Sequence, residues 1–249
     1  MISSAIYLLI FAITTSFWGW PNSENAQMPP QKVSYSVTEN FSVPILMYHY
    51  IRDFENPDSP VGTQLSVGPA NFEEQMKYIY ENGYQTISLA DVVEKRVPLK
   101  SVVLTFDDGY EDAYTAAFPI LKKYNQKATF FVITDYLGRE QYLNWDQVEE
   151  MKKSSMEFGS HTLSHPNLSS LNEEEAKREI FASKNDFEFF CYPSGKYNAR
   201  TVELVKEAGY RGAATVKYGL ANQKSDLFLL PRIRISHNEN LESFVEKIK

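Results

Sequence analysis

With 249 residues, 43% of them hydrophobic and 23% charged, the chain has enough material for one barrel-sized or α/β domain with a substantial core. Its 25 Lys and Arg against 32 Asp and Glu leave a net charge of −7, and no basic run occurs, which argues against a nucleic-acid partner. The single cysteine, Cys191, excludes an intrachain disulfide and a cysteine-based zinc site.

Met1 to Ser23 contains no charged side chain, and Ala5 to Trp20 is mostly apolar. Its length falls between a signal-peptide core and a membrane-spanning helix, and it lacks both a basic leader and a good small-residue cleavage site. Residues 1–23 are therefore expected to be an export segment, either cleaved or kept as a membrane anchor. Residues 24–40 are polar, contain Pro29-Pro30 and show no periodicity, so they read as a linker before a domain at 41–249.

Strands and helices then alternate. Val43–Tyr48 is a short apolar strand that stops at His49, and Arg52–Pro69 reads as a loop. Asn71-Phe72-Glu73-Glu74 looks like a capping box opening a helix to about Asn82, with Gly83 as its stop. Gln85–Ser88 is a strand, and Ser88 caps a short helix, Leu89–Glu94. Ser101–Phe106 is the clearest buried strand, followed by a helix from Asp112 to Tyr124. Further strands are expected at Ala128–Val132, Met156–Gly159, Phe187–Tyr192, Gly212–Val216 and Leu229–Ile235. Helices are expected at Asp146–Lys153, Asn172–Ser183, Thr201–Ala208 and Leu241–Ile248. About seven strand-helix units predict an α/β fold, a distorted parallel (β/α) barrel. His49, Asp107-Asp108, His161 and Pro193-Ser194-Gly195 each follow a strand, and in such a barrel strand ends share one rim.

Two motifs on that rim carry chemistry. Thr105-Phe106-Asp107-Asp108-Gly109 offers paired carboxylates, and His161-Thr162-Leu163-Ser164-His165 offers two of the chain's four imidazoles. Each alone is compatible with an ordinary polar turn. Together they supply a carboxylate and two imidazoles for a divalent ion, with a second carboxylate free to accept a proton from water. Successive strand residues face opposite ways, so Gly109 must break the strand for both carboxylates to serve one site.

As a pair the motifs resemble the polysaccharide deacetylase family, the group named after the rhizobial nodulation-factor deacetylase domain. The resemblance runs from about Val43 to the C-terminus, making 41–249 the deacetylase domain. Val43-Pro44-Ile45-Leu46-Met47-Tyr48-His49, Trp145-Asp146 and Leu230-Pro231-Arg232-Ile233 are most similar to the branch acting on poly-N-acetylglucosamine. It implies Asp108, His161 and His165 as ligands of a divalent metal, most often Zn2+, and Asp107 as general base. It also implies the Ser194 N–H as oxyanion donor and a polysaccharide substrate releasing acetate.

The chain departs from the family's third motif, Arg-x-Pro-Tyr-Gly, which here reads Cys191-Tyr192-Pro193-Ser194-Gly195. The arginine that supports the base is missing, and Arg232 or Arg234 is expected to replace it. Cys191 itself reads as a packed strand residue. The general acid is expected to be His49, with His237 in Ile235-Ser236-His237 as the alternative. Asp146 reads as a helix first-turn acid and Glu173-Glu174-Glu175 as a solvated helix start, while Trp145 could line a sugar subsite or pack in the core. The expected protein is an exported or membrane-attached, monomeric N-deacetylase of poly-N-acetylglucosamine-like polymer. Deacetylation of peptidoglycan or chitin oligomers, O-acetyl esterase action and weakly catalytic carbohydrate binding are the alternatives.

Overall fold

The computed structural model describes residues 27–29, 40–237 and 239–249. The expected export segment and most of the expected linker lie outside the described residues. Part of the linker is docked: Met28 is buried in the core, and its N–H donates to the Lys123 carbonyl.

Strands β1 (Ser42–Val43), β2 (Ile45–Tyr48) and β3 (Tyr50–Ile51) come first, followed by helix α1 (Pro60–Leu65), β4 (Ser66–Val67) and α2 (Pro69–Glu81). Next are β5 (Gln85–Thr86), α3 (Leu89–Val93), β6 (Ser101–Phe106), α4 (Phe118–Lys123), β7 (Thr129–Val132) and α5 (Trp145–Lys153). Then come β8 (Glu157–Ser160), α6 (Glu173–Phe181), β9 (Phe189–Cys191) and α7 (Ala199–Glu207). The last elements are β10 (Gly212–Ala214), β11 (Ala221–Asn222), β12 (Ile233–Arg234) and α8 (Leu241–Ile248).

The main sheet has the spatial order β10-β9-β8-β7-β6-β2-β12, with β5 added beside β6, and all its pairings are parallel. Parallel neighbours need long crossovers, which the intervening helices supply. The sheet curls until Leu230, just ahead of β12, bridges Ala214 of β10. That contact nearly closes the ring and gives the distorted parallel barrel expected from the alternation.

Strand parity divides the apolar residues between two cores. Ile45, Val103, Phe131, Phe189, Cys191 and Ala214 form the barrel interior. Leu46, Tyr48, Leu104, Phe106, Phe130, Val132, Phe158 and Phe190 face the helix layer. Following the interior parity up each strand leads from Val103 through Thr105 to Asp107, and from Gly159 to His161. The fold therefore delivers Asp107, His161 and Cys191 to one layer at the top of the barrel.

Several expected boundaries shift for local reasons. Helix α2 starts at Pro69, whose fixed φ suits a first helical position, and the expected cap Asn71 instead donates to the Glu239 carbonyl. The expected helix from Asp112 opens as a π turn, Ala113–Ala117, before α4. Pro119 explains this, since it has no N–H for the helical ladder and its ring would crowd the Thr115 carbonyl. The expected loop Arg52–Pro69 contains α1 and β4, and β4 pairs in parallel with β3. Capping boxes at Ser88, Asn144, Asn172 and Asn198 set the starts of α3, α5, α6 and α7.

Gly159 has no room for a side chain, because an added Cβ would lie 2.6 Å from the Phe131 ring and 2.9 Å from the Phe189 carbonyl. Gly159→Ala is expected to destabilise the fold by about 1–3 kcal/mol in denaturant unfolding. Pairing it with Phe131→Leu should recover part of that loss.

Candidate active site and metal centre

The site is built around Asp107, buried where β6 ends. Its N–H donates to the Tyr48 carbonyl, and its carboxylate accepts two parallel bonds from Arg232, Nη1 to Oδ1 and Nη2 to Oδ2, both 2.7 Å. Arg232 is also buried, and its remaining donors are satisfied. Nε donates to the Thr215 carbonyl (2.8 Å), Nη1 to Thr105 Oγ1 (3.0 Å) and Nη2 to Cys191 Sγ (3.1 Å). Burial alone would raise the Asp107 carboxyl, but the guanidinium outweighs it and holds the group well below the usual carboxylate range.

Asp108 should point away by strand parity. Its φ of +74° turns it back, and Gly109 at +75° continues the turn. Asp108 Oδ1 consequently lies 3.5 Å from both His161 Nε2 and His165 Nε2. His161 is oriented by its Nδ1, 2.8 Å from the Cys191 carbonyl, which leaves Nε2 facing Asp108. His165 comes round through a tight turn in which Thr162 and His165 both have positive φ. The turn is secured by the His165 N–H to Thr162 Oγ1 and by two bonds from Ser164 to the buried Glu179 carboxylate.

This donor set suits a divalent ion. The ligand atoms of Asp108, His161 and His165 lie within 4.8 Å of one another. A tetrahedral ion with bonds of about 2.0–2.1 Å places neighbouring ligand atoms about 3.3 Å apart, close to the spacing seen. Burial, then the adjacent Asp107 charge, push Asp108 up to about 7, a penalty that a cation relieves. Burial draws His161 down to about 3 and so keeps its imidazole neutral, as a ligand must be. The second grouping, Asp107 with His161 and Cys191, fits less well because the Asp107 charge is already met by the Arg232 guanidinium, which also contacts the Cys191 sulfur and would repel a cation there.

Other expected residues divide clearly. His49 Nε2 is 4.0 Å from Asp107 Oδ2, while its Nδ1 is buried with no hydrogen-bond partner among the described residues. His237 follows β12, and its N–H donates to the Gln64 carbonyl. Of the two arginines, Arg232 meets Asp107, whereas Arg234 is exposed and its carbonyl accepts from Lys247. Ser194 has φ +51° and is exposed on the turn after β9, and among the described residues no protein group accepts its N–H. Trp145 stacks on Phe187 of the helix-layer core, 6.4 Å between centroids, and so packs with that layer.

Three contributors escaped the sequence reading. Cys191 is more than a packed residue, since its carbonyl holds His161 and its sulfur contacts Arg232. Glu179, one of many charges on α6, shows no sequence signal for its role beneath the histidine turn. Tyr110 lies beside Asp108, where its hydroxyl draws the carboxyl down, and stacks at 3.9 Å on Tyr50, whose ring also lies under Arg52 at 3.5 Å. Its place directly after Asp-Asp-Gly was the available clue.

Comparison with known proteins places the chain in a family. The polysaccharide deacetylase family model matches residues 94–213. The Bacillus subtilis protein YxkH is 35% identical over 207 residues, covering 78% of this chain and 71% of its own length. A Staphylococcus aureus poly-beta-1,6-N-acetyl-D-glucosamine N-deacetylase is 30% identical, covering 84% of this chain and 82% of its own. The solved Streptococcus pyogenes deacetylase PplD, in complex with acetate, superposes with a TM-score of 0.77 at 33% identity, over 84% of this chain and 99% of that one. A Bacillus cereus polysaccharide deacetylase gives 0.78 at 30% identity, over 86% and 71%. The chain belongs to the polysaccharide deacetylase family.

Proposed function

We propose that the protein is a metal-dependent N-deacetylase of N-acetylglucosamine-containing polysaccharide, releasing acetate and leaving glucosamine units. The observation that carries this reading is the Asp108–His161–His165 donor set beside an Asp107 kept ionised by Arg232. Poly-β-1,6-N-acetylglucosamine is the favoured polymer, because it is the named substrate of the Staphylococcus relative. The charge-free apolar stretch at residues 1–23 supports export to the cell surface, with that segment as signal or anchor.

A divalent ion, Zn2+ by the chemistry of this donor set, held by Asp108, His161 and His165 would supply Lewis acidity to the attacking water and the acetyl oxygen. Asp107 accepts the water's proton as the new C–O bond forms. The Ser194 N–H donates to the oxygen that gains charge in the tetrahedral stage. The amide C–N bond then breaks, and a proton must reach the departing nitrogen. Burial draws His49 down to about 4, despite the opposing pull of Asp107, so at neutral pH it starts the reaction without a proton. The proton taken from water passes on to His49, whose Nε2 lies 4.0 Å from Asp107 Oδ2, and His49 delivers it to the amine.

The function is tested by acetate release from β-1,6-linked N-acetylglucosamine oligomers before and after chelation. Release should stop with the chelator and return with added Zn2+; glycan binding without metal-dependent release would instead identify a carbohydrate-binding protein. Arg232→Ala should cut turnover about 100-fold and cost about 3–5 kcal/mol in denaturant unfolding, because it strands a buried carboxylate. Arg232→Lys should fold better yet remain slow, lacking the two-pronged contact, and Arg234→Ala should leave turnover near wild type. His49→Ala should lower turnover by about 10²–10⁴ with metal content intact, whereas His237→Ala should change it little. Normal activity in His49→Ala would remove His49 from the mechanism.

A further inference from the structure

Two buried polar side chains that the proposed chemistry does not use lie on one face of one helix. Glu179 of α6 and Ser183, four residues later and just past the helix end, are both buried against the helix layer. Residues four apart lie one above the other, so the two side chains face the same neighbours.

Each reaches the segment that carries one of the paired histidines. The Glu179 carboxylate accepts twice from Ser164, the N–H at Oε2 and the hydroxyl at Oε1, both 2.9 Å, and Ser164 immediately precedes His165. Ser183 Oγ accepts from Ser160 Oγ (2.7 Å), and Ser160 immediately precedes His161. Ser160 Oγ also accepts the Thr162 N–H (3.1 Å), so the residues on both sides of His161 belong to one network. The end of α6 is itself fixed. Ser183 Oγ donates to the Glu179 carbonyl (2.8 Å), and the Tyr210 hydroxyl donates to the Ile180 carbonyl (3.1 Å).

The loop after β7 holds the opposite side of the turn, where the N–H groups of Thr134 and Asp135 donate to the carbonyls of Thr162 and Leu163 (3.1 and 3.0 Å). The segment between the histidines is thus gripped from two sides. Burying a carboxylate costs stability unless it is well paired, yet Glu179 gives both oxygens to a neutral serine. What the turn carries explains that placement. Thr162 and His165 hold φ of +67° and +61°, conformations that persist where neighbouring groups determine them. Metal ligands keep their aim through such contacts from behind.

We propose that α6 is the clamp of the metal centre: Glu179 is a positioning residue that holds His165 in place through Ser164, while Ser183 steadies the His161 segment through Ser160. The proposal rests on the metal-dependent reading and adds to it the residues that set how tightly the ion is kept. Glu179 acts through Ser164, so its effect belongs first in metal affinity.

The test measures Zn2+ affinity of the full chain by competition with a chromophoric chelator, the visible spectrum of the Co2+-loaded protein, and unfolding of the metal-free protein. Glu179→Gln keeps the size of the side chain but turns one acceptor into a donor facing Ser164. It should weaken Zn2+ binding about 10–100-fold and shift the Co2+ spectrum. Ser164→Ala, at an exposed position, removes one of the two bonds and should weaken Zn2+ binding about 3–10-fold. Asn172→Ala removes the N-cap of α6 at a distance from the turn. It should lower the unfolding midpoint and leave Zn2+ affinity and the Co2+ spectrum as in the wild type. Wild-type Zn2+ affinity in Glu179→Gln and Ser164→Ala, or an equal loss of affinity in Asn172→Ala, would overturn the clamp. If Glu179→Gln does not fold, Ser164→Ala decides. A wild-type chain that binds Zn2+ through this clamp but releases no acetate would uphold the proposal and overturn only the deacetylase reading. A wild-type chain that binds neither Zn2+ nor Co2+ would overturn both.

Discussion

A buried ion pair, Arg232 with Asp107, organises the upper barrel. Two charges removed from water are costly unless every donor and acceptor finds a partner. Here the carboxylate takes two bonds from the guanidinium, and the guanidinium's other donors end on the Thr215 carbonyl, the Thr105 hydroxyl and the Cys191 sulfur. The pair thereby ties together the ends of β6, β9 and β10 and the approach to β12. Removing one partner would leave an uncompensated charge where four segments converge.

Around that pair, the barrel places side chains by parity and corrects parity where chemistry demands it. Asp107 and His161 arrive at the interior by simple alternation along β6 and β8. Asp108 and His165 do not, and both adopt the left-handed backbone that L-residues generally avoid. Such conformations cost free energy and persist where surrounding contacts determine them. In both cases the outcome is a candidate ligand atom facing the same point. The Cys191 carbonyl and the Glu179 carboxylate then fix the two histidine segments from behind.

Much of this was legible in the sequence, for identifiable reasons. Strand Ser101–Phe106 and helix Leu241–Ile248 match their expected bounds, because a continuous apolar run and a strong amphipathic pattern are local signals. The start of α2 and the π turn before α4 were missed where proline rewrote the hydrogen-bonding ladder. The clustering of Asp108 with two histidines was readable from residue type and spacing. The choice between Arg232 and Arg234 was not, since both alternate to the same side and only register with the neighbouring strands separates them. Cys191 was invisible as a site component because much of its role is carried by a backbone carbonyl, which any residue possesses.

The position of Arg232 in the chain sets an order of assembly. Asp107 belongs to an early strand, while its counter-charge enters just before β12, which docks beside β2. Domains emerging from the ribosome start to collapse from the N-terminal side. Until residues near 232 join the sheet, the Asp107 carboxylate has no guanidinium partner and gains more from water than from burial. The top of the barrel can exclude water from that carboxylate only once the segment carrying Arg232 is in place. A chain that ends before residue 232 therefore lacks the counter-charge that makes burial of the Asp107 carboxylate affordable.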